Sequence, residues 1–236
     1  MSSAAVSQSK LRRHPCPPLG PVACTYMLLF LAGLYPVTMF GGMPYFPGPW
    51  EPAQIIVAFF QARPSSVVLC AFLQFGSAIP LGIFTASIVS RMRFLGVQAA
   101  GVTIALFGGF ATAISMMIGS GFLITMARPE VSHNPDLTVA LYYIGYHIGG
   151  PGFSVPFGLL MAGISIPALF YKLVPRWISI LGIALAVCGE LSWLNIVFPQ
   201  ALFLIPLTRF PGFVWAIAVG FALPTAIPQR TQSEPA

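Results

Sequence analysis

The sequence carries very little charge for its length. Only 7% of its 236 residues are Asp, Glu, Lys or Arg, whereas 57% are hydrophobic. Soluble domains carry about 25% charged residues, so this chain cannot cover a globular surface with charge. A soluble enzyme is therefore excluded. At about 20 apolar residues per crossing, the length has room for roughly five to seven transmembrane helices.

Several chemical signatures are also missing. The chain has no Walker, GxSxG, HExxH or dinucleotide-binding motif, which argues against an energy-coupled pump acting alone. Of three histidines only His147 lies in an apolar stretch, so neither a bis-histidine haem nor a histidine-rich metal site can be built. The four cysteines lie too far apart for a CxxC pair or a zinc knuckle. We predict no metal and no cofactor.

The basic residues are topology signals. The net charge is +6, but Lys and Arg fall at the ends of apolar stretches, which indicates membrane orientation and no nucleic-acid partner. If the N-terminus is cytoplasmic, Arg63, Arg128 and Arg209 are the outer basic residues and the other eight face the cytoplasm. The asymmetry predicts an N-in, C-in multi-pass protein of the cell membrane, the inner membrane if the source is bacterial. Its predicted surroundings are the lipid bilayer, with a membrane-protein partner or a second copy left open.

The apolar stretches predict an all-α polytopic membrane bundle of six helices, with a short outer interfacial helix at Ala53–Ala62 that is too short to cross. Residues 1–20 form a predicted disordered cytoplasmic tail, 21–227 the transmembrane domain and 228–236 a second cytoplasmic tail. The predicted spans are 21–40, 66–90, 94–126, 153–171, 177–198 and 213–226, the last with an alternative start at residue 201.

Two apolar stretches are longer than one crossing needs. The stretch 94–126 either tilts and protrudes or breaks at 119–121, where Gly119, Ser120 and Gly121 follow one another. The stretch 137–171 contains glycines and a proline at 149–152, and these predict a break that separates a leading piece from the fourth span.

Glu190 is the one carboxyl predicted inside a span. Helical rise places Gln74 and Ser77 of the second span at similar depth and on one helix face, so a polar pocket of Glu190, Gln74 and Ser77 is the first candidate site. Such a carboxyl serves as a proton or cation relay or an anchor for a substrate's amine, or else as a neutral structural clasp between helices.

A second candidate is an outward-facing cluster of Tyr143, His147, Trp193 and Asn195. Helical rise places these side chains near the outer face. The alternative interpretation is an ordinary aromatic belt, since Tyr and Trp concentrate at membrane interfaces.

The layout also resembles a known family. A short outer segment ends in Ala62-Arg63-Pro64, a second span ends in a basic pair, and the segment FYKLVPRWISILGIALAVCG covers residues 170–189. In its Pro175-Arg176-Trp177 step and Gly182 this segment is similar to the uncharacterised bacterial DUF4386-like membrane proteins. The resemblance implies a six-span bundle and carries no activity with it.

Three function classes remain from the sequence. The first is a non-catalytic membrane subunit or scaffold. The second is a small-molecule or ion binding or transport protein that uses Glu190. A membrane-embedded enzyme comes third, because such enzymes need paired acids or a His–Asp constellation that the spans do not contain.

Overall fold

The structure is a computed structural model that describes residues 11–228. It confirms the all-α fold class. Its α-helices are α1 (Leu19–Leu34), α2 (Ala53–Ala62), α3 (Pro64–Phe94), α4 (Ala100–Met126), α5 (Pro129–Ser132), α6 (Pro135–Gly149), α7 (Pro151–Phe170), α8 (Arg176–Leu191) and α9 (Leu204–Ala222). Short 3₁₀ turns cover Tyr35–Val37, Met39–Gly41, Ser192–Ile196 and Pro199–Phe203, and two strands, β1 (Leu11–Arg13) and β2 (Ala226–Pro228), pair antiparallel.

Within residues 11–228, six helical stretches are long and apolar enough to cross a membrane. They run over Leu19–Val37, Pro64–Phe94, Ala100–Met126, Pro135–Phe170, Arg176–Ile196 and Pro199–Ala222. This chain is thus a multi-pass integral membrane protein, as its hydropathy predicts.

Prolines begin several of these helices. Pro64, Pro135 and Pro151 each occupy the first helical turn, where the missing N–H costs no hydrogen bond. At α6 the side chain of Asn134 also accepts a hydrogen bond of 3.2 Å from the Leu137 N–H. The local sequence therefore fixes these boundaries.

The six spans form a ring. In order of packing, α1 contacts α3, α3 contacts α4, α4 contacts α7, α7 contacts α8, α8 contacts α9, and α9 returns to α1. We call the end that carries β1 and β2 the tail side, and the opposite end, which carries residues 38–63, the loop side.

Two apolar clusters stabilise the bundle. The larger fills the ring with aromatic and aliphatic side chains, among them the fully buried Trp215 and Phe157. The smaller lies on the loop side, where Phe59 and Phe60 of α2 pack around Tyr142 of α6. Outside the ring, large apolar side chains such as Phe72 and Phe107 are more than half exposed, which suits a hydrocarbon surrounding.

The two long apolar stretches differ in whether their helix is interrupted. Helix α4 runs unbroken from Ala100 to Met126, so glycines at 119 and 121 do not interrupt it. The other stretch does break, between α6 and α7, at Gly150 with φ −88° and ψ −100°. The predicted helix at Ala53–Ala62 has the predicted bounds, and its position on the membrane surface stays a prediction.

The predicted tails are partly ordered. Residues Leu11–Arg13 pair with Ala226–Pro228, and the His14 N–H donates a hydrogen bond of 2.9 Å to the Thr225 carbonyl. Composition alone indicated disorder over residues 1–20 because the strand partner lies at the other end of the sequence. Residues 1–10 and 229–236 of the predicted tails lie outside the described residues.

Candidate ligand cavity

A cavity of about 850 Å³ lies in the loop-side half of the bundle. Its size falls within the range of small-molecule sites. The walls come from α1, α3, α4, α6, α7 and α9, and the segment Phe46–Trp50 adds the side nearest the loops. Most of the lining is aromatic or aliphatic.

The break at Gly150 explains why the bundle is open here. Helix α7 packs along α4 and α8, whereas α6 packs against α4 and α2. Because Pro151 has no N–H, the helical hydrogen-bond ladder cannot continue unchanged across the break. The two pieces of this span therefore have different neighbours, and the cavity lies beside their junction, with Gly149 and Gly150 in its lining.

The segment Phe46–Trp50 roofs the cavity on the loop side. The Tyr142 hydroxyl donates a hydrogen bond of 2.7 Å to the Pro47 carbonyl. The Phe46 ring packs 5.4 Å from the Phe59 ring and 5.8 Å from the Tyr142 ring. These contacts tie the roof to α2 and α6, and Trp50 extends it.

Arg209 is the one charged side chain in the described cavity lining. It lies on α9, about 8 Å along the helix from Leu204. Its guanidinium carbon lies 4.3 Å from the centroid of the Phe153 ring and 5.5 Å from that of Phe30, in cation–π geometry. A positive charge is thereby held against two apolar walls.

The guanidinium has one protein hydrogen bond within residues 11–228. Its Nη2 donates to the carbonyl of Gly149, the last residue of α6, where helix carbonyls lack partners and a cation is favourable. Its Nε is buried and has no hydrogen-bond partner in that range. A guanidinium has five N–H donors, and the described residues accept a hydrogen bond from one of its three nitrogens, so the protein leaves this cation under-satisfied.

Neutral polar groups complete the lining. The Ser120 hydroxyl is buried without a partner among the described residues. Ser115 donates a hydrogen bond of 2.7 Å to the Gly152 carbonyl, and Gln74 adds an amide from α3. The cavity thus combines one cation, several uncharged polar groups and a large apolar surface, which is the chemistry of a site for an anionic ligand.

The residues of the first predicted site lie apart. Gln74 and Ser77 are on α3, and the Ser77 hydroxyl donates to the Gln74 carbonyl of its own helix at 2.8 Å. Glu190 lies on α8 and faces Gly158 of α7, and its Oε1 has no hydrogen-bond partner among residues 11–228. Of the three, Gln74 lines the cavity. Equal depth did not bring them together because α3 and α8 are not neighbours in the ring.

The second predicted cluster is only partly assembled. Tyr143, His147 and Trp193 are exposed, whereas Asn195 is nearly buried, with its Nδ2 3.5 Å from the Tyr146 hydroxyl. The tyrosine that meets Asn195 is therefore Tyr146, which lines the cavity, and Tyr143 packs beside Tyr142 instead.

Sequence reasoning did not select Arg209. The charge count assigned it to an outer loop, because the last span was predicted to begin at residue 213. The structure places it inside α9. The useful signal was the alternative start at Ala201, which leaves one arginine within a continuous apolar stretch.

Comparisons with known proteins do not narrow the function. The chain matches no protein-family model, no curated protein and no solved structure.

Proposed function

We propose that this integral membrane protein binds a small monoanion, of the carboxylate type, in its loop-side cavity. The observation that carries the proposal is the Arg209 guanidinium, which lines the cavity with a buried Nε that no described residue satisfies. A charge in an apolar site is costly unless it is paired. A bound anion would pair it.

The charge balance favours a monoanion. Arg209 contributes a single positive charge, and the remaining described lining residues are neutral at pH 7. A phosphomonoester carries about −1.5 to −2 and would bring an uncompensated charge into the apolar cavity. A carboxylate carries −1, which the single positive charge of Arg209 balances completely. It can accept hydrogen bonds from a guanidinium, from a serine hydroxyl such as that of Ser120 and from an amide such as that of Gln74.

The scaffold and relay interpretations of the sequence remain alternatives to this proposal. In a scaffold, Arg209 would only close the C-terminus of α6. A relay would act at Glu190, outside the cavity lining. The N-in orientation and kinship with the DUF4386-like proteins also remain proposals; with the N-terminus inside, the cavity would lie in the outer half of the membrane.

The test uses the full chain in lipid nanodiscs and compares benzoate with the neutral, similarly shaped benzamide. We expect benzoate to raise the unfolding temperature and benzamide to leave it unchanged. Arg209→Met should weaken benzoate binding about ten- to a hundredfold, since hydrogen bonds to charged groups contribute about 1.5 to 3 kcal/mol. Arg209→Lys should retain part of the binding, because a lysine keeps the charge but loses the planar donor set.

Arg176→Met is the matched control, since Arg176 is an exposed arginine at the tail-side start of α8. It should bind benzoate like the wild type. If benzoate stabilises the wild type and Arg209→Met equally, or stabilises neither, the anion proposal is wrong and Arg209 acts as a helix clasp.

A further inference from the structure

The hydroxyl of Ser120 differs from the other hydroxyls of helix α4. Thr112 and Thr125 each donate a hydrogen bond to the carbonyl four residues earlier, at 2.7 and 2.9 Å. Hydroxyls inside helices commonly satisfy themselves in this way. Ser120 is only 1% exposed, and its Oγ makes no hydrogen bond with any residue in the range 11–228. A buried hydroxyl without a partner is unfavourable, so a ligand that supplies the partner is favoured.

The position of Ser120 makes its missing partner accessible to a ligand. Ser154 and Ser179 are also buried serines whose hydroxyls have no partner among the described residues. Neither of them lines the cavity, whereas Ser120 does. Of these three serines, Ser120 is therefore the one that a molecule in the cavity can satisfy.

Ser120 and Arg209 lie beside the same helix end. A Cβ on Gly119 would lie 4.0 Å from the Gly149 Cα, and the Gly149 carbonyl accepts the hydrogen bond from Arg209. Helices α4 and α9 face each other across the ring, and the end of α6 contacts both. Two walls thus bring a cation and a hydroxyl to the helix break, where a compact ligand can contact both groups.

The charge of the lining restricts what such a ligand places at Ser120. Apart from Arg209, the described lining residues are neutral at pH 7. A second carboxylate or an ammonium group would therefore enter the cavity without a counter-charge, which is costly. A serine hydroxyl both donates and accepts hydrogen bonds, as does the amide of Gln74 in the same lining. A neutral hydroxyl on the ligand matches these groups.

We infer that the ligand is a hydroxycarboxylate, whose carboxylate pairs with Arg209 and whose hydroxyl hydrogen-bonds with Ser120. This inference rests on the proposed anion site and adds the substrate class and a residue that determines specificity. A site with a buried polar group discriminates against a ligand that leaves this group without a partner. Ser120 therefore selects hydroxycarboxylates over carboxylates of the same size that lack the hydroxyl.

The test measures dissociation constants with the full chain in lipid nanodiscs. It compares meta- and para-hydroxybenzoate with the methylbenzoates substituted at the same ring positions, since a methyl group matches a hydroxyl in size. We expect at least one hydroxybenzoate to bind about three- to tenfold more tightly than its methyl counterpart. Isophthalate, which has a second carboxylate in place of the hydroxyl, should bind more weakly than benzoate.

Ser120→Ala should abolish the preference for the hydroxyl and leave the affinity for benzoate within about twofold of the wild type. It should not lower the unfolding temperature of the ligand-free protein, because the hydroxyl has no described partner to lose. Ser179→Ala is the matched control. It removes another buried hydroxyl without a described partner, but outside the cavity lining, so the preference should persist.

The outcomes separate this inference from the proposed function. If hydroxybenzoates and methylbenzoates bind alike while Arg209→Met weakens benzoate binding, the anion site stands and the hydroxycarboxylate inference is overturned. A preference that persists in Ser120→Ala would assign the hydroxyl to another residue and overturn it as well. Equal weakening of benzoate and hydroxybenzoate by Ser120→Ala would place Ser120 at the carboxylate, with the same consequence. If benzoate binding does not depend on Arg209, the proposed function and this inference are both wrong.

Discussion

The tail-side and loop-side halves of this bundle pack in different ways. In the tail-side half, glycines bring helix backbones together: a Cβ on Gly163 of α7 would lie 2.7 Å from the Ala105 backbone nitrogen of α4. In the loop-side half of α4, a Cβ on Gly121 would meet nothing within 4 Å. The first half is closed and the second contains the cavity.

The difference shows where the chain is rigid and where it has room for a ligand. Between helices in lipid there is little hydrophobic driving force, so close packing depends on small residues and matched shapes. The tail-side contact of α4 with α7 has both, and so does the contact of α7 with α8 farther toward the loop side, where a Cβ on Gly189 would lie 2.7 Å from the Ser154 carbonyl oxygen. The loop-side half holds its open shape through a helix break, a hydrogen-bonded roof and one arginine at a helix end. The following predictions test this contrast.

The largest effect is expected where the tail-side backbones touch. Gly163→Ala should lower the free energy of unfolding by about 2 to 3 kcal/mol, because the added methyl overlaps the backbone of α4 and forces two helices apart. Gly121→Ala is the matched control, and the higher helix propensity of alanine should stabilise it slightly or leave it unchanged. Unfolding of both variants in detergent measures the difference. Equal effects would contradict the packing contrast.

The roof is the next feature to break. Tyr142→Phe removes the hydrogen bond to the Pro47 carbonyl and should destabilise the protein by about 1 kcal/mol. The equilibrium constant for local opening of the roof segment Phe46–Trp50 should rise about fivefold. Cys70, which is buried and lines the cavity, reports this through its rate of labelling by a water-soluble maleimide when the other three cysteines are alanines.

Tyr143→Phe is the control for the roof, since Tyr143 is 39% exposed. It should change neither stability nor the labelling of Cys70. Faster labelling in this variant, or unchanged labelling in Tyr142→Phe, would mean that the roof does not control access from the loop side.

A smaller, pH-dependent effect is expected on the tail side. Partial burial and the neighbouring Arg91 lower the pKa of His14 below its ordinary value of 6.5. Arg12 also lies nearby, over the same Phe94 ring that His14 packs against. The folded state therefore favours neutral His14, so its contribution is present above 6.5 and is lost as the pH falls through the lowered pKa.

Hydrogen exchange at the Leu11–Arg13 amides measures this loss. After correction for the intrinsic rate, exchange should be faster at about pH 5 than at about pH 8, as protonated His14 is repelled by the arginines. His14→Gln should remove the pH dependence while it keeps a hydrogen-bonding group near Ser90. A pH dependence that persists in His14→Gln would assign it to another group.

The smallest effect is expected at Glu190. Its Oε1 has no hydrogen-bond partner among the described residues, so Glu190→Gln should change the free energy of unfolding by no more than about 0.5 kcal/mol. Glu190→Leu should change the free energy of unfolding equally little, and it should leave the cavity lining around Gln74 unchanged. A loss of more than about 1 kcal/mol in the leucine variant alone would show that the carboxyl holds a helix partner after all.

The sequence by itself determined the membrane class, the six spans, the short helix at Ala53–Ala62 and the break near Gly150. These features are local: apolar length decides whether a segment can span, and proline and glycine decide where its backbone hydrogen bonds stop. The sequence did not determine that Arg209 lies in a cavity or that Glu190 and Gln74 lie apart. Those outcomes depend on which helices become neighbours in the ring, and that order follows from side-chain shape across residues far apart in the chain, which only the tertiary structure decided.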